Sequence, residues 1–310
     1  MASVGAHPTD KPRKGWSGAR TERKFAAALL APALALMAFT ALYPVASSLW
    51  TSLHVLDLAK SLSLGPFVGL DNYREAFTDD PDFLTVLRVT AVFVLLDVAL
   101  TMLAALGLAA LLLRAGFGQR ILRTLLILPF AMSPALIGIS WRFMLNPDYG
   151  AFARTIAAVL PFTQGTDYLA RPVSAMAALL SSDVWHWTPY FTFMLMGGLA
   201  SIPSETQEAA RIDGASETRV FLDVTLPQLA PVLAVAAILK AVFALKVFDA
   251  IVTMTAGGPG RSTTTLSYFA YQIGFRDYDF GYAAAVAYVL TAILFALSLF
   301  YVRFAFRRPA

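Results

Sequence analysis

Long apolar runs separated by short polar joints set the pattern of this 310-residue chain. A helix needs about 20 mainly apolar residues to cross roughly 30 Å of hydrocarbon at ~1.5 Å per residue. Six stretches reach that length: Phe25 to Trp50, Val89 to Leu113, Ile121 to Leu145, Val173 to Ala200, Leu229 to Met254, and Tyr282 to Phe306. The first follows Arg20, Arg23 and Lys24, as a secretory signal would. Its apolar run is longer than the ~7–15 residues of such a signal and no small-residue cleavage site interrupts it cleanly, so it reads as a retained span. The pattern predicts an all-α polytopic membrane protein with six transmembrane helices. Of the joints, residues 51–88 are expected to carry a short surface helix around Asn72 to Phe77. Residues 146–172 contain Pro147, Gly150, Pro161, Gly165 and Pro172, which predict turns and a short re-entrant or surface helix.

Composition agrees with the pattern and narrows it. Hydrophobic side chains make up 58% of the chain and charged ones 14%, against about 45–50% and about 25% in soluble domains. Too little polar surface remains to cover a water-soluble body, which excludes a disordered chain and an ordinary cytosolic enzyme. Cysteine is absent, so thiolate metal sites and cysteine nucleophiles are excluded. With the N-terminus inside, Lys11, Arg13, Lys14, Arg20, Arg23, Lys24, Arg114, Arg120, Arg123, Arg211, Arg219, Arg303, Arg307 and Arg308 fall on cytoplasmic segments, and fewer Lys and Arg fall outside. That bias orients the chain with both termini cytoplasmic. The expected organisation is a basic tail over residues 1–24, a transmembrane domain over 25–306 containing a cytoplasmic loop over 201–228, and a short tail over 307–310.

The loop between spans four and five is the longest inside segment. Ser204 with Gln207 fits a capping box that starts a helix. Gly214 suits the left-handed position that ends one. Ser216 can cap a second short helix, and Pro227 marks the return to the membrane. Glu205, Glu208, Asp213, Glu217 and Asp223 outnumber Arg211 and Arg219, which suits either a solvated connector or a surface that docks a partner.

The residues of this loop also carry a resemblance. Glu208-Ala209-Ala210-x-x-Asp213-Gly214-Ala215, followed by Phe221 and Leu226-Pro227, resembles the E-A-A loop of binding-protein-dependent ABC importer permeases. Tyr43-Pro44, Phe67-Val-Gly-Leu-Asp-Asn-Tyr73, Leu128-Pro129, Trp141-Arg-Phe-Met-Leu-Asn146, Trp185-x-x-x-Pro189, Phe248-Asp249 and Thr255-Ala-Gly-Gly-Pro259 extend the likeness over most of the chain, towards the carbohydrate-uptake members of the maltose and glycerol-phosphate type. The resemblance implies a type I ABC importer permease fold in the bacterial inner membrane. The implied partners are a second homologous permease, two ATPase subunits and an extracytoplasmic solute-binding protein. ATP and magnesium would belong to the ATPase subunits, so no cofactor and no catalytic residue is expected on this chain. Glu208, Ala209, Ala210, Asp213, Gly214, Ala215, Phe221, Leu226 and Pro227 would form the coupling element. A large inserted periplasmic domain, present in the best-studied maltose member, is missing.

Ionisable side chains at membrane depth are costly and need an account. Lys246 and Asp249 are three apart and are expected to pair on one helix face, with a gating role as the alternative. Asp97 stands alone in span two and is expected to face the bundle, either paired to a polar group or neutral, with no role assigned. In span four Asp183, Trp187 and Tyr190 share a face, and Pro189 is expected to kink the helix. Aromatic rings beside a carboxylate suit sugars, although the same rings serve equally as packing or interfacial aromatics. By the resemblance, the substrate positions fall on Phe130, Pro134, Asp183, Trp185, Trp187, Tyr190, Lys240, Phe243 and Ala244. Lys240 would either pair with Asp183 or meet an anionic group of the solute.

No G-x-x-x-x-G-K-[ST], G-x-S-x-G or H-E-x-x-H motif occurs. His7, His54 and His186 are too scattered for a metal centre, and the basic clusters flank spans rather than form a nucleic-acid face. The competing function is an ion-coupled secondary transporter with Asp97, Lys246 and Asp249 as its relay. A membrane scaffold without a pathway is the third.

Overall fold

The computed structural model describes residues 16–114 and 119–305, with side chains placed for 23–113 and 121–303. Lys11, Arg13, Lys14, Arg307 and Arg308, which bear on the orientation, lie outside the described residues. The helices are α1 (Trp16–Met37), α2 (Tyr43–Ser52), α3 (Asp71–Arg74), α4 (Pro81–Arg114), α5 (Gln119–Ala131), α6 (Pro134–Met144), α7 (Ala151–Val159), α8 (Pro172–Ala200), α9 (Ser204–Ile212), α10 (Glu217–Arg219), α11 (Leu226–Leu245), α12 (Leu266–Phe275) and α13 (Phe280–Ala305). No extended strand occurs among the described residues.

Two units separate at Trp50 and Thr51. The first consists of α1, a π-helical turn over Ala38–Leu42, and most of α2. It is apolar on all faces, and Leu34, Met37, Phe39 and Leu42 are each more than half exposed, as a helix surrounded by lipid or other helices requires. In the second unit α4, α8 and α11 pack on one another, α5 lies on α8, and α13 packs against α11 and α12.

Three departures from the expected spans have physical causes. Span three is two helices, α5 and α6, bent by 98° at Met132 and Ser133. Pro134 has no amide to continue α5 and instead opens α6, where Ser133 accepts from the Leu136 amide. Span five ends at Leu245, nine residues before the expected boundary. The chain then re-enters as a π-helical turn over Ile251–Thr255 that packs against α6. Gly138 permits that approach, because a Cβ there would lie 2.0 Å from Thr253 Oγ1 and 3.1 Å from Ala250 Cα. Helix α8 runs on through Pro189 without a break, and the interrupted helix of this fold is span three.

By length and hydropathy four helices qualify as spans, or five with the bent pair. Helix α8 is 29 residues long, ample to cross, but its middle carries Asp183, His186 and Tyr190, and it packs against α4, α5, α6 and α11. Short helices occupy the joints over residues 51–88 and 146–172 as expected: α3 runs into a π-turn over Glu75–Asp79, and α7 lies between α6 and α8. Asn72 donates to the carbonyls of Ser52 (2.8 Å) and His54 (3.1 Å), fastening the first joint.

The Thr255-Ala-Gly-Gly-Pro259 turn is held by threonines. Gly257 has φ +82°, and a Cβ would strike Thr264 and Tyr268. Thr264 Oγ1 donates to the Gly257 carbonyl (3.0 Å), and Thr263 Oγ1 to that of Gly258 (2.9 Å). Irregular backbone near membrane depth is tolerated where protein satisfies it in this way.

Candidate functional site

The interior of α4, α8 and α11 holds an ionic cluster that joins three helices. Lys240 of α11 is fully buried, and its Nζ donates to Asp183 Oδ2 of α8. Asp97 of α4, equally buried, lies beside the same ammonium as an ion-pair partner. Asp97 Oδ2 is out of hydrogen-bonding alignment there and has no other donor, while Thr101 Oγ1 approaches Oδ1 at 3.5 Å. The ammonium also stands 5.7 Å from the Trp187 ring centroid, a favourable cation–π placement. Two carboxylates thus surround one cation. The expected Lys240–Asp183 pairing is present, with Asp97 as an added partner, and it is enclosed in protein.

An aromatic cluster adjoins it. Trp187 stacks on Phe243 with centroids 4.5 Å apart, and Phe130 stacks on Tyr190 at 5.5 Å. Phe130 meets the edge of Trp187 at 5.9 Å, and Trp187 meets Tyr190 at 6.2 Å. Phe130 and Tyr190 also line a cavity of about 350 Å³ with Ile127, Pro189, Phe193 and Met194. Trp187 forms the back of this shelf, with one face taken by Phe243, whereas Phe130 is 42% exposed.

The positions expected to hold solute therefore divide. Phe130, Trp187, Tyr190 and Phe243 come together, with Asp183 and Lys240 behind them. Trp185 points elsewhere, against Trp141 at 6.3 Å. Pro134 is exposed beyond the bend, and Ala244 is buried in a separate cluster with Leu179 and Val247. Lys246 and Asp249 form no ion pair with each other, and both are exposed where α11 has already ended. The break in the helical path between them removes the face they were expected to share.

His186, one of the ionisable residues expected at membrane depth but given no role from the sequence, lies one turn from Tyr190 on α8. Its Nδ1 contacts the Pro129 carbonyl at 2.9 Å. A carbonyl has no proton to give, so Nδ1 carries it and the imidazole fastens the end of α5 at the bend. No sequence signal pointed to this partner, since span three was expected to run straight past Pro129. For Asp97 the signal was its lack of any cation one helical turn away, which required a partner on another helix.

The loop between α8 and α11 is built from local rules. Helix α9 starts at Ser204 as expected, but Pro203 is its cap residue and Ser204 and Gln207 close no capping box. Its end is as expected: Gly214 has φ +86°, its amide bonds the Arg211 carbonyl (3.0 Å), and the Ala215 amide bonds that of Ala210 (3.0 Å). These two bonds are the Schellman pattern, which glycine favours because a side chain strains the left-handed backbone. Arg211 bridges the turn to Glu217 through Nε–Oε1 (2.7 Å) and Nη2–Oε2 (3.3 Å). The carboxylate holds the guanidinium above its ordinary pKa. The expected second short helix is not separate, since α10 passes through a π-turn over Val220–Thr225 straight into α11. Leu226 and Pro227 lie in the first turn of α11, and Phe221 is half-buried beneath the loop. Glu208, Ala209, Asp213 and Gly214 are exposed, with Ala210 and Ala215 half-buried. Ile212, absent from the expected set, is 86% exposed at the tip.

Packed apolar helices with one bent pair, an ionic interior and an exposed helical loop form an all-helical membrane fold. The family model "Binding-protein-dependent transport system inner membrane component" matches residues 98–308. The chain is 34% identical over 285 residues to the trehalose/maltose transport system permease protein MalF of Thermococcus litoralis, covering 91% of this chain and 94% of that protein. It is 32% identical over 281 residues to the sn-glycerol-3-phosphate transport system permease protein UgpA of Yersinia pestis, covering 90% and 93%. A bacterial alginate ABC transporter, solved with an alginate pentasaccharide-bound periplasmic protein, shares the fold at TM-score 0.77 and 18% identity, over 95% of this chain and 98% of that one. The chain belongs to the binding-protein-dependent ABC importer permeases of the carbohydrate-uptake group. It is a multi-pass protein of the bacterial inner membrane and a transport subunit rather than an ion-coupled transporter.

Proposed function

We propose that this chain forms one half of the pathway of a sugar importer and that a second, homologous permease forms the other. Two ATPase subunits bind inside and a solute-binding protein outside. ATP and magnesium reside on the ATPase subunits, and this chain holds neither. The exposed α9 end carries the reading: an acidic helix with Ile212 at its tip, closed by a rigid turn and continuous through α10 with α11. A push on α9 is thereby delivered to the helix that carries Lys240 and Phe243. Glu208 to Ala215 make the docking surface, while Phe221, Leu226 and Pro227 join it to α11.

Alternating access then follows from ATP-driven closure of the ATPases, which shifts the loop and with it the inner end of α11. Phe130 and Tyr190 supply ring faces for the C–H faces of a sugar, with Trp187 and Phe243 fixing them from behind. Trp185, Pro134 and Ala244 lie away from the shelf and are the weakest members of the family-derived set. The test is uptake by the reconstituted importer with and without ATP, together with co-purification of the ATPase subunits. Glu208→Lys is expected to remove both uptake and co-purification while the chain still inserts. Uptake at the wild-type rate by that variant would sink the coupling role.

A further inference from the structure

Relatives in this group include one named for trehalose and maltose and one named for glycerol 3-phosphate, so neutral and anionic solutes are both within reach of the fold. Lys240 lies behind the shelf, 5.7 Å from the Trp187 ring centroid, and its surroundings bear on which class this chain accepts. Its ammonium is fully buried, hydrogen-bonded to Asp183, paired with Asp97 and set over Trp187. These partners come from α4 and α8, so withdrawing the ammonium towards a solute would strip two carboxylates on two helices. One cation between two carboxylates leaves the cluster no spare positive charge. The cavity lined by Ile127, Phe130, Pro189, Tyr190, Phe193 and Met194 contributes no charged side chain either. An anion on the shelf would give up its hydration against apolar surface with no uncommitted cation behind it. A neutral polyhydroxy solute would meet ring faces and carry no charge to compensate.

We propose that Asp97 and Asp183 are positioning residues for specificity: they hold Lys240 out of the pathway, so that this half of the importer takes a neutral carbohydrate and discriminates against an anionic one. The proposal rests on the shelf being the solute site, as argued above.

The test measures equilibrium binding of maltose and of sn-glycerol 3-phosphate to the complete permease–ATPase assembly in lipid nanodiscs. The solute-binding protein is omitted so that its own selectivity does not enter. The wild type is expected to prefer maltose by at least about tenfold. In Asp97→Asn/Asp183→Asn, which frees Lys240, glycerol 3-phosphate binding should tighten about tenfold with maltose changed less than about threefold. In Asp97→Asn/Lys240→Met/Asp183→Asn, which removes the cluster's charge as a set, the ratio should fall between the other two. That second variant keeps the test open if the first fails to fold. A wild type that prefers glycerol 3-phosphate, or a ratio unchanged in the variant that folds, overturns the proposal. Phe130→Ala and Tyr190→Ala report separately on the shelf. If neither weakens maltose binding, or if the wild type binds neither probe, the shelf fails and this proposal falls with it, whereas an unchanged ratio alongside intact shelf effects defeats the charge argument alone.

Discussion

The interior of α4, α8 and α11 and the loop around α9 both carry charge, but they dispose of it in opposite ways. Inside, Asp97, Asp183 and Lys240 are consumed by one another and hidden from solvent. In the loop, Glu205, Glu208, Asp213 and Asp223 are displayed, and Arg211 is tied to Glu217 across a turn. Two glycines make the same contrast in steric terms. A Cβ at Gly138 would collide with Thr253 and the Ala250 backbone, whereas one at Gly214 would meet nothing within 4 Å. The first glycine is needed for close packing and the second for its backbone angle. A membrane interior has no water to mend a mismatch, so its groups must satisfy each other, while a docking surface keeps its groups available for a partner.

The largest effect is expected where the loop's backbone is forbidden its shape. Gly214→Pro fixes φ near −65° at a residue held at +86°, and it removes the amide that bonds Arg211. Uptake and ATPase co-purification should both be lost, with membrane insertion retained. Gly214→Ala, which suffers only the left-handed strain of roughly 1 kcal/mol, should keep most of the uptake. Equal loss in both variants would mean that space, not backbone angle, governs the loop.

The interior breaks differently. Lys240→Met leaves Asp97 and Asp183 buried without their cation, a change on the order of 3–5 kcal/mol in stability. Replacing all three residues by Asn, Met and Asn should restore most of that, because no uncompensated charge then remains. Thermal denaturation in nanodiscs would show it. A Lys240→Met protein as stable as the wild type would mean that the three groups are not coupled.

How much of this could be seen in the sequence follows the same division. The loop was legible because its turn is local: glycine at the end of a short helix specifies the Schellman bonds without help from the rest of the chain. Its start at Ser204 was legible too, but not its cap, because Pro203 can precede a helix as readily as Ser204 can cap one. The all-helical membrane fold was legible from apolar run length, but the path was not. Residues 121–145 are apolar whether they run straight or bend by 98°, and hydropathy records transfer to an apolar medium rather than direction. The segment after Leu245 is apolar because protein encloses it, which mimics a longer span. Helix α12, at 10 residues, is too short for the run-length rule to detect. Within the site, spacing along one helix suggested Lys246 with Asp249 and failed, since the helix ends between them. The Asp97–Lys240 contact joins α4 to α11, a relation that no periodicity contains.

A smaller effect tests the packing of the broken span. Gly138→Ala must displace Thr253 or the Ala250 backbone, at a cost of about 1–3 kcal/mol. Thr253→Ala removes the nearer obstacle and should recover part of it. The double variant would show coupling by melting above the Gly138→Ala protein, and no recovery would place the strain on the Ala250 backbone instead.

The smallest effect belongs to the Arg211–Glu217 pair, and it tests the comparison most directly. Both side chains are about half exposed (43% and 58%), and exposed pairs of this kind contribute little once salt and side-chain entropy are counted. The turn they span is already fixed by the Gly214 and Ala215 amides. Glu217→Gln should therefore leave the melting temperature and uptake close to wild type, and whatever difference appears at low ionic strength should fade in about 1 M salt, where the screening length is only ~3 Å. The Lys240→Met defect should persist at the same salt, because ions do not reach a fully buried ammonium site. If salt erased both differences alike, the interior cluster would have to be open to solvent, and the contrast between consumed and displayed charge would be lost.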